Sequence, residues 1–353
     1  MMNLFHSWYH PEPGTAGKER NYFIDNLKFS LIILVVIGHF ALKLSYVKEI
    51  RYLTYFIYVF HMPCFVFVSG FLAKRMNANG KLRADRILSI LWMYLIFKFG
   101  NVMLGYAFGK HVSLSLFKDA SAPWYLLALA VWYLFVPLLE RIKNRYLIAG
   151  SFLIGLFAGY IGSIGQVFSL SRIFVFFPFF ILGLCLSEQK LRDILDKRLR
   201  LPAAILLLLM LCLIISLGKH VTPISRILYA TSPYSSALKG GLKPYGILFR
   251  SAWYVSAVLL SFAFMLLVPR CRLFFTKYGE RTLQVYILHI WVRNGLAYLG
   301  FFSLVKSGPK YLPVLVLLGC IPLVFLLANK PLQKLFDALM ATGLFKKLLK
   351  GDP

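Results

Sequence analysis

Three histidines lie in long apolar stretches of the sequence, where an ionisable side chain is costly and usually serves a function. They are His39 in "SLIILVVIGHF", His61 in "FIYVFHMPCFVF" and His289 in "TLQVYILHIWV". An imidazole takes up and releases protons near neutral pH, so each is a candidate acid or base. The alternative role for each is a structural hydrogen bond to a neighbouring helix. For His61 that bond would go to the backbone carbonyl that Pro63 leaves unpaired.

Basic residues accompany two of these histidines on the same helix face. Lys28 precedes His39 by eleven residues, which in an α-helix is about three turns and about 16 Å along the axis. Arg293 follows His289 by four residues, so these two side chains lie one turn apart on one face. Such faces are unfavourable against lipid, and we expect them to point into the protein.

Further basic residues stand at the ends of apolar stretches. Arg83 and Arg86 close the segment "KRMNANGKLRADR", and Arg172 begins the aromatic stretch "RIFVFFPFFILG". The alternative role for the first pair is that of an ordinary positive loop, which orients a protein in the membrane. Arg172 either points into a cavity or anchors the chain at the lipid headgroups.

The elements that carry these residues are predicted to be membrane-spanning helices. The chain of 353 residues is 59% hydrophobic and only 15% charged, with a mean hydropathy of +0.71, whereas soluble domains have about 25% charged residues. A soluble globular domain and a disordered chain are thereby excluded. A span needs about 20 residues, and the apolar runs predict an all-α polytopic membrane protein with about ten transmembrane helices. These lie near 29–47, 52–73, 87–108, 123–139, 146–164, 173–187, 202–218, 251–268, 283–302 and 312–329.

The charge distribution predicts the orientation. The chain has 40 Lys and Arg against 13 Asp and Glu, a net charge of +27. With a cytoplasmic N-terminus, 25 of those 40 lie in cytoplasmic segments and 13 in outer ones, so the positive-inside rule places both termini in the cytoplasm. On so apolar a chain the basic excess indicates Lys- and Arg-rich loops of a membrane protein, and no nucleic-acid partner is expected, although the orientation rule does not explain the 13 outer cations. We divide the chain into a cytoplasmic leader (1–28), a transmembrane domain (29–329) and a basic amphipathic cytoplasmic tail (330–353).

Two further features limit the possible functions. The long outer segment 219–250 is either a plain connection or a lid over a cavity that opens outward, since loops of this length are often functional. The five cysteines show neither a CxxC pair nor the spacing of a Cys/His metal site. We therefore expect neither a metal site nor a disulfide framework.

Five motifs along the chain resemble one family of membrane proteins. In chain order they are Lys28 with His39, then "FHMPCFVFVSGFL", "APWYLLAL", "RIFVFFPFFILG" and "YGERTLQVYILH". Together they resemble the acyltransferase-3 family of membrane acyltransferases, in the branch of fucose 4-O-acetylase-like proteins. The order and spacing of the set carry the resemblance, which covers nearly the whole chain.

The resemblance implies ten spans around a site of O-acyl transfer, in a multi-pass protein of the cell membrane that contacts membrane lipid. The implied acyl donor is cytoplasmic acetyl-CoA, and the acceptor is a hydroxyl of a carbohydrate or lipid-linked glycan. The essential histidine of the family corresponds to His39, and the basic residue ahead of it to Lys28. The family more often has arginine there, and lysine lacks its bidentate geometry toward phosphate.

These implications give the site a set of predicted roles. His39 is the general base on the acceptor hydroxyl, or alternatively carries the acetyl group as an acetyl-imidazole. His61 and His289 orient the acceptor or donate to the tetrahedral oxyanion. The residues predicted to bind the cofactor acetyl-CoA are Lys28, Arg83, Arg86 and Arg172.

Two other functions fit part of the sequence. A secondary transporter of a sugar or lipid-linked intermediate would also bury His and Arg within its spans, but would consume no acetyl-CoA. A non-catalytic component of a polysaccharide-export assembly would tolerate the loss of His39. The identity of the acceptor and the length of the acyl group stay open.

Overall fold

The structure is a computed structural model that describes residues 9–11, 19–78, 81–115, 122–162, 167–340, 344–345 and 348–349. Two short antiparallel pairs of strands are present in this part of the chain: β1 (Tyr9–Pro11) with β2 (Glu19–Asn21), and β3 (Asn77–Ala78) with β4 (Lys81–Leu82). The remaining elements are helical. The α-helices are α1 (Tyr22–Lys43), α2 (Lys48–Ala73), α3 (Ala84–Ala107), α4 (Trp124–Leu139), α5 (Asn144–Phe157), α6 (Leu170–Cys185), α7 (Glu188–Ile194), α8 (Arg200–Leu217), α9 (Arg226–Tyr229), α10 (Tyr234–Ala237), α11 (Gly246–Leu267), α12 (Thr282–Tyr298), α13 (Phe301–Ser307), α14 (Leu312–Leu327) and α15 (Lys330–Leu339).

A helix lies over each of the ten apolar segments predicted from the sequence. The boundary differs at α1, which begins at Tyr22, well before residue 29. The side chain of Asn21 caps this helix by accepting a hydrogen bond from the Ile24 amide at 3.0 Å. His39 consequently lies about one turn before the end of α1 and not at its middle, where the sequence placed it.

The part of the chain that the structure describes contains several apolar helices of spanning length, as a membrane protein requires. Five helices are long and apolar enough to cross a membrane, and the number rises to as many as seven if each of two bent pairs is one span. The bent pairs are α6 with α7 and α14 with α15. The count of ten spans and the cytoplasmic position of both termini remain predictions.

Glycines allow α2 and α6 to cross at very short range. A Cβ atom added at Gly70 would overlap the backbone carbonyl of Phe180, and one added at Gly183 would overlap that of Phe67. Small residues at such crossings let two helix backbones approach within membranes. The tight crossing fixes the position of α6 beside the helix that carries His61.

Hydrogen bonds tie the segments predicted to be cytoplasmic to one end of the helices. Lys74 Nζ donates to the Leu186 carbonyl at 2.8 Å, Arg200 Nε to the Leu266 carbonyl at 3.2 Å, and Asn26 Nδ2 to the Pro269 carbonyl at 2.9 Å. We call this end the inner face. His39 lies at the opposite end of α1 from Asn26, and we call that end the outer face.

The long segment between α8 and α11 folds over the outer face. It contains the short helices α9 and α10. Arg250, at the start of α11, is fully buried beneath it and donates through Nη1 to the Ile227 carbonyl at 3.0 Å. Its guanidinium also lies 5.2 Å from the ring of Trp253 and 5.8 Å from that of Tyr234. These contacts make the segment a packed part of the protein.

Candidate active site

A cavity of about 410 Å³, which we call the outer cavity, brings predicted site residues from several helices together. His39 of α1, His61 of α2 and Arg172 of α6 line it, with Arg293 of α12. The segment between α8 and α11 contributes to the wall, so of its two predicted roles the structure favours the cover over a cavity. The other lining residues are Leu42, Tyr58, Met62, Ala122, Trp124, Phe176, Leu228, Tyr229, Thr231 and Tyr286.

His39 and His289 form a hydrogen-bonded pair. His39 Nδ1 lies 2.7 Å from His289 Nε2, and the two rings are nearly coplanar, with centroids 5.0 Å apart and planes 9° apart. The other ring nitrogen of His289, Nδ1, lies 2.8 Å from the carbonyl oxygen of Val285. A carbonyl oxygen only accepts, so His289 Nδ1 carries the proton of that bond.

This geometry sets the tautomers of both rings. In a neutral His289 with its proton on Nδ1, Nε2 is an acceptor, and His39 Nδ1 must donate to it. The lone pair of His39 then resides on Nε2. A nucleophile or base that is oriented by a second side chain in this way is the arrangement typical of acyl-transfer sites. His39 lines the cavity, whereas His289 is fully buried behind it.

His61 is oriented through its own helix. Its Nδ1 lies 2.7 Å from the Ile57 carbonyl and therefore donates to it. The carbonyl that Pro63 leaves unpaired is that of Val59, and Trp253 Nε1 donates to it at 3.2 Å. The alternative in which His61 satisfies that carbonyl is therefore wrong. The remaining nitrogen of a neutral His61 accepts hydrogen bonds, which suits orienting a hydroxyl better than donating to an oxyanion.

Arg172 and Arg293 carry positive charge on two walls of the outer cavity. Arg172 Nε donates to the Tyr229 carbonyl at 3.2 Å, and its guanidinium lies 5.3 Å from the centre of the Trp124 ring. Of its two predicted positions, Arg172 takes the one that points into a cavity. Arg293 donates to Asn294 Oδ1 from Nη2 at 2.8 Å and from Nε at 3.3 Å.

A second cavity, of about 660 Å³, lies toward the inner face, and we call it the inner cavity. Arg75, Arg83 and Arg86 line it. Arg83 donates to both carboxylate oxygens of Asp85 at 3.0 and 2.8 Å, and these bonds raise the pKa of the Arg83 guanidinium above its ordinary value. The predicted cofactor-binding residues are therefore divided, because Arg83 and Arg86 line the inner cavity and Arg172 the outer one.

Tyr286 lines both cavities. Its hydroxyl donates to the Ala122 carbonyl, and its ring meets the edge of Tyr125 with centroids 5.6 Å apart. The Tyr125 hydroxyl is in turn 2.6 Å from Ser69 Oγ. Tyr286 was not among the residues predicted to form the site. Its position three residues before His289 was the available signal, since that spacing places both on one face of α12.

Lys28 and Lys98 lie outside both cavities. Lys28 forms an ion pair with Asp25 at 2.9 Å and lines neither of the two cavities. Lys98, in α3, is buried and donates to the Ser115 carbonyl at 2.6 Å, with its ammonium group 4.8 Å from the centre of the Tyr94 ring. The predicted role of Lys28 is untested by this geometry.

The comparison with known families covers every residue that was predicted to form the site. A family model described as an acyltransferase domain matches residues 21–328, a range that holds all three histidines and both Tyr125 and Tyr286. No curated protein and no solved structure matches the chain. With apolar helices of spanning length throughout that range, the chain belongs to the acyltransferase-3 family of membrane acyltransferases.

Proposed function

We propose that this membrane acyltransferase is an O-acetyltransferase of the cell membrane, in the fucose 4-O-acetylase-like branch. It moves the acetyl group of cytoplasmic acetyl-CoA to a hydroxyl of a carbohydrate or lipid-linked glycan. The observation that carries the proposal is the His39–His289 pair, which presents His39 to the outer cavity as a base with a fixed tautomer. The separate inner cavity would let acetyl-CoA approach from the inner face, while the acceptor occupies the outer cavity.

In direct transfer, His39 acts first as a base and then as an acid. His39 Nε2 takes the proton of the acceptor hydroxyl as its oxygen attacks the acetyl carbonyl carbon. The imidazolium formed donates from Nδ1 to His289 Nε2, a hydrogen bond that a charged donor strengthens. When the tetrahedral intermediate collapses, the C–S bond breaks and the C–O bond of the ester remains. His39 returns its proton to the departing thiolate.

The inner cavity fits the phosphate groups of the donor. Arg75 and Arg86 line it beside Arg83, whose charge is offset by Asp85. Arginine binds phosphate through paired hydrogen bonds. A thioester held there reaches His39 past Tyr286, the residue that both cavities share. Lys28, which the family resemblance assigns to the donor, would act at the inner end of α1.

Acetyl transfer through an acetyl-imidazole uses the same His39 nitrogen and stays a competing route. In direct transfer the protein carries no acetyl group at any stage. Incubation with acetyl-CoA in the absence of acceptor, followed by acid quenching and peptide mass spectrometry, separates the two. An acetyl group on the His39 peptide would replace the base mechanism with the relay.

The proposal is tested with the purified chain in lipid nanodiscs, acetyl-CoA labelled in its acetyl group, and a panel of glycans read by mass spectrometry. We expect label in the glycan, and His39→Ala to lower the rate about 10²- to 10⁴-fold, the usual contribution of a general base. His220→Ala is the matched control, because His220 is an exposed histidine of the outer segment. Full activity of His39→Ala would contradict the proposal. Acceptor uptake into proteoliposomes without acetyl-CoA would favour a transporter.

A further inference from the structure

The positive charge of the outer cavity indicates which acceptors it can bind. This inference rests on the proposed acetyl transfer to a glycan. Two arginines, Arg172 and Arg293, are among the described residues that line this cavity, and no aspartate or glutamate is among them. A buried arginine is costly unless a partner offsets its charge. For Arg293, none of the described residues that line the cavity supplies that negative charge.

Arg293 is held by neutral groups alone within the described residues. Its Nε and Nη2 donate to Asn294 Oδ1, Asn294 Nδ2 donates to Asn101 Oδ1 at 3.1 Å, and Asn101 Nδ2 donates to the Phe97 carbonyl at 3.1 Å. This relay of two side-chain amides fixes the direction of the guanidinium. It removes none of the positive charge, because an amide oxygen is uncharged.

Arg172 is also held in a defined orientation. One nitrogen donates to the Tyr229 carbonyl, and its guanidinium lies over Trp124, which is 7% exposed. A cation over an indole face keeps its charge while it gains packing. The two arginines come from α6 and α12, so they approach the cavity that His39 lines from different helices.

A neutral acceptor that enters this cavity would bring no negative charge to Arg293, whose hydrogen bonds go to the uncharged oxygen of Asn294. Burying an unpaired charge is costly, whereas a carboxylate or a phosphate forms paired hydrogen bonds with a guanidinium. A volume of about 410 Å³ is within the range of small-ligand pockets. An anionic sugar thus fits both the size and the charge of the cavity.

We infer that the acceptor carries an anionic group, a carboxylate or a phosphate, which binds Arg293 and Arg172 while a hydroxyl of the same glycan meets His39. The geometry assigns Arg172 to the acceptor and not to the phosphates of acetyl-CoA. The acceptor's anionic group takes no part in the chemistry, and its role is to place the reacting hydroxyl beside Nε2.

Binding without acetyl-CoA tests this inference independently of catalysis. The probes are methyl glucuronide, glucose 1-phosphate and the neutral methyl glucoside, added to the chain in nanodiscs. Tryptophan fluorescence reports binding, since Arg172 lies against Trp124, and Trp124→Phe identifies the signal of that residue. We expect at least one anionic probe to bind about tenfold or more tightly than the glucoside, a difference of about 1.4 kcal/mol. The carboxylate and phosphate arms then identify the anion.

Charge variants complete the test. Arg293→Gln should lose most of the preference for the anionic probe, Arg293→Lys should keep part of it, and Lys219→Gln should keep all of it. Lys219 is the matched control because it is an exposed cation on the outer face. Equal binding of the anionic probes and the glucoside by the wild-type chain would overturn the inference even if Arg293→Gln does not fold. Retention of the full preference by a folded Arg293→Gln would overturn it as well.

Discussion

His39 and His289 are 250 residues apart in the chain, yet their rings are nearly coplanar and a nitrogen of one lies 2.7 Å from a nitrogen of the other. The pair differs from the predicted roles, in which each histidine acted on the substrate. His289 contacts His39 and the Val285 carbonyl, and it is fully buried. It is therefore a positioning residue for His39, and only His39 of the two lines the cavity.

This relationship predicts a specific kinetic defect when His289 is replaced. In His289→Phe the imidazolium of His39 loses its acceptor, and a hydrogen bond to a charged group contributes about 1.5–3 kcal/mol. We expect kcat to fall about 10- to 100-fold with little change in the KM of either substrate. Steady-state kinetics of the purified variant checks this. His289→Gln, which keeps a side-chain acceptor, should lose less, and an unchanged kcat in His289→Phe would contradict the positioning role.

The inner cavity predicts an effect on the donor alone. Arg86→Gln should raise the KM for acetyl-CoA about tenfold, because it removes a charge-assisted hydrogen bond to phosphate. The KM for the acceptor should stay the same. Arg141→Gln is the matched control, since Arg141 is an exposed arginine in a segment predicted to lie on the same side. A higher acceptor KM in Arg86→Gln, with the acetyl-CoA KM unchanged, would move the donor site elsewhere.

Lys28 provides a test that separates the family resemblance from the geometry. If Lys28 binds a phosphate group of the donor, Lys28→Arg should keep activity and Lys28→Ala should raise the acetyl-CoA KM. If it serves only to pair with Asp25, both variants should keep the wild-type KM, because the pair lies outside both cavities. Acetyl-CoA titrations of the two variants distinguish these outcomes.

Tyr286 is predicted to limit the length of the transferred acyl group. In Tyr286→Ala the side chain that both cavities share is removed, so the passage widens. We expect the ratio of butyryl to acetyl transfer to rise about tenfold, the usual effect of pocket size on a small apolar group. Tyr286→Phe removes the hydrogen bond to the Ala122 carbonyl but keeps the aromatic ring, and it should keep the wild-type ratio. An unchanged ratio in a folded Tyr286→Ala would show that another residue limits the length of the acyl group.

The crossing of α2 and α6 predicts a large effect on stability from a small change. Gly70→Ala places a methyl group on the Phe180 carbonyl, and the strain of overpacking costs about 1–3 kcal/mol. The melting temperature of the purified variant should fall accordingly. Gly150→Ala is the control within a helix, because a Cβ there meets nothing within 4 Å. A similar melting temperature for the two variants would show that the crossing is looser than described.

The sequence predicted the elements better than it predicted their contacts. Apolar periods located the ten helical segments, and the motif residues His39, His61 and Arg172 do meet in one cavity. The pairing of His39 with His289 and the bond from Trp253 to the carbonyl freed by Pro63 join distant helices. Composition and spacing describe one helix at a time, so they carry no information about which helices pack together.

The first helix was placed too far along the chain for a related reason. Residues 22–28 include Asp25, Asn26 and Lys28, which are polar by composition and were assigned to the leader. In the structure Asn26 bonds to the Pro269 and Cys271 carbonyls and Asp25 pairs with Lys28. These tertiary contacts and the cap at Asn21 extend α1 toward the N-terminus.

The span of chain between His39 and His289 has a consequence for synthesis. A ribosome delivers α1 to the membrane first, while α12 follows only after most of the chain has been inserted. The base and the ring that fixes its tautomer therefore meet late, when α12 packs against α1. Until then His289 does not fix the tautomer of His39 that serves as the base. Catalytic competence is thus expected to arise in one step near the end of translation, when α12 takes its place beside α1.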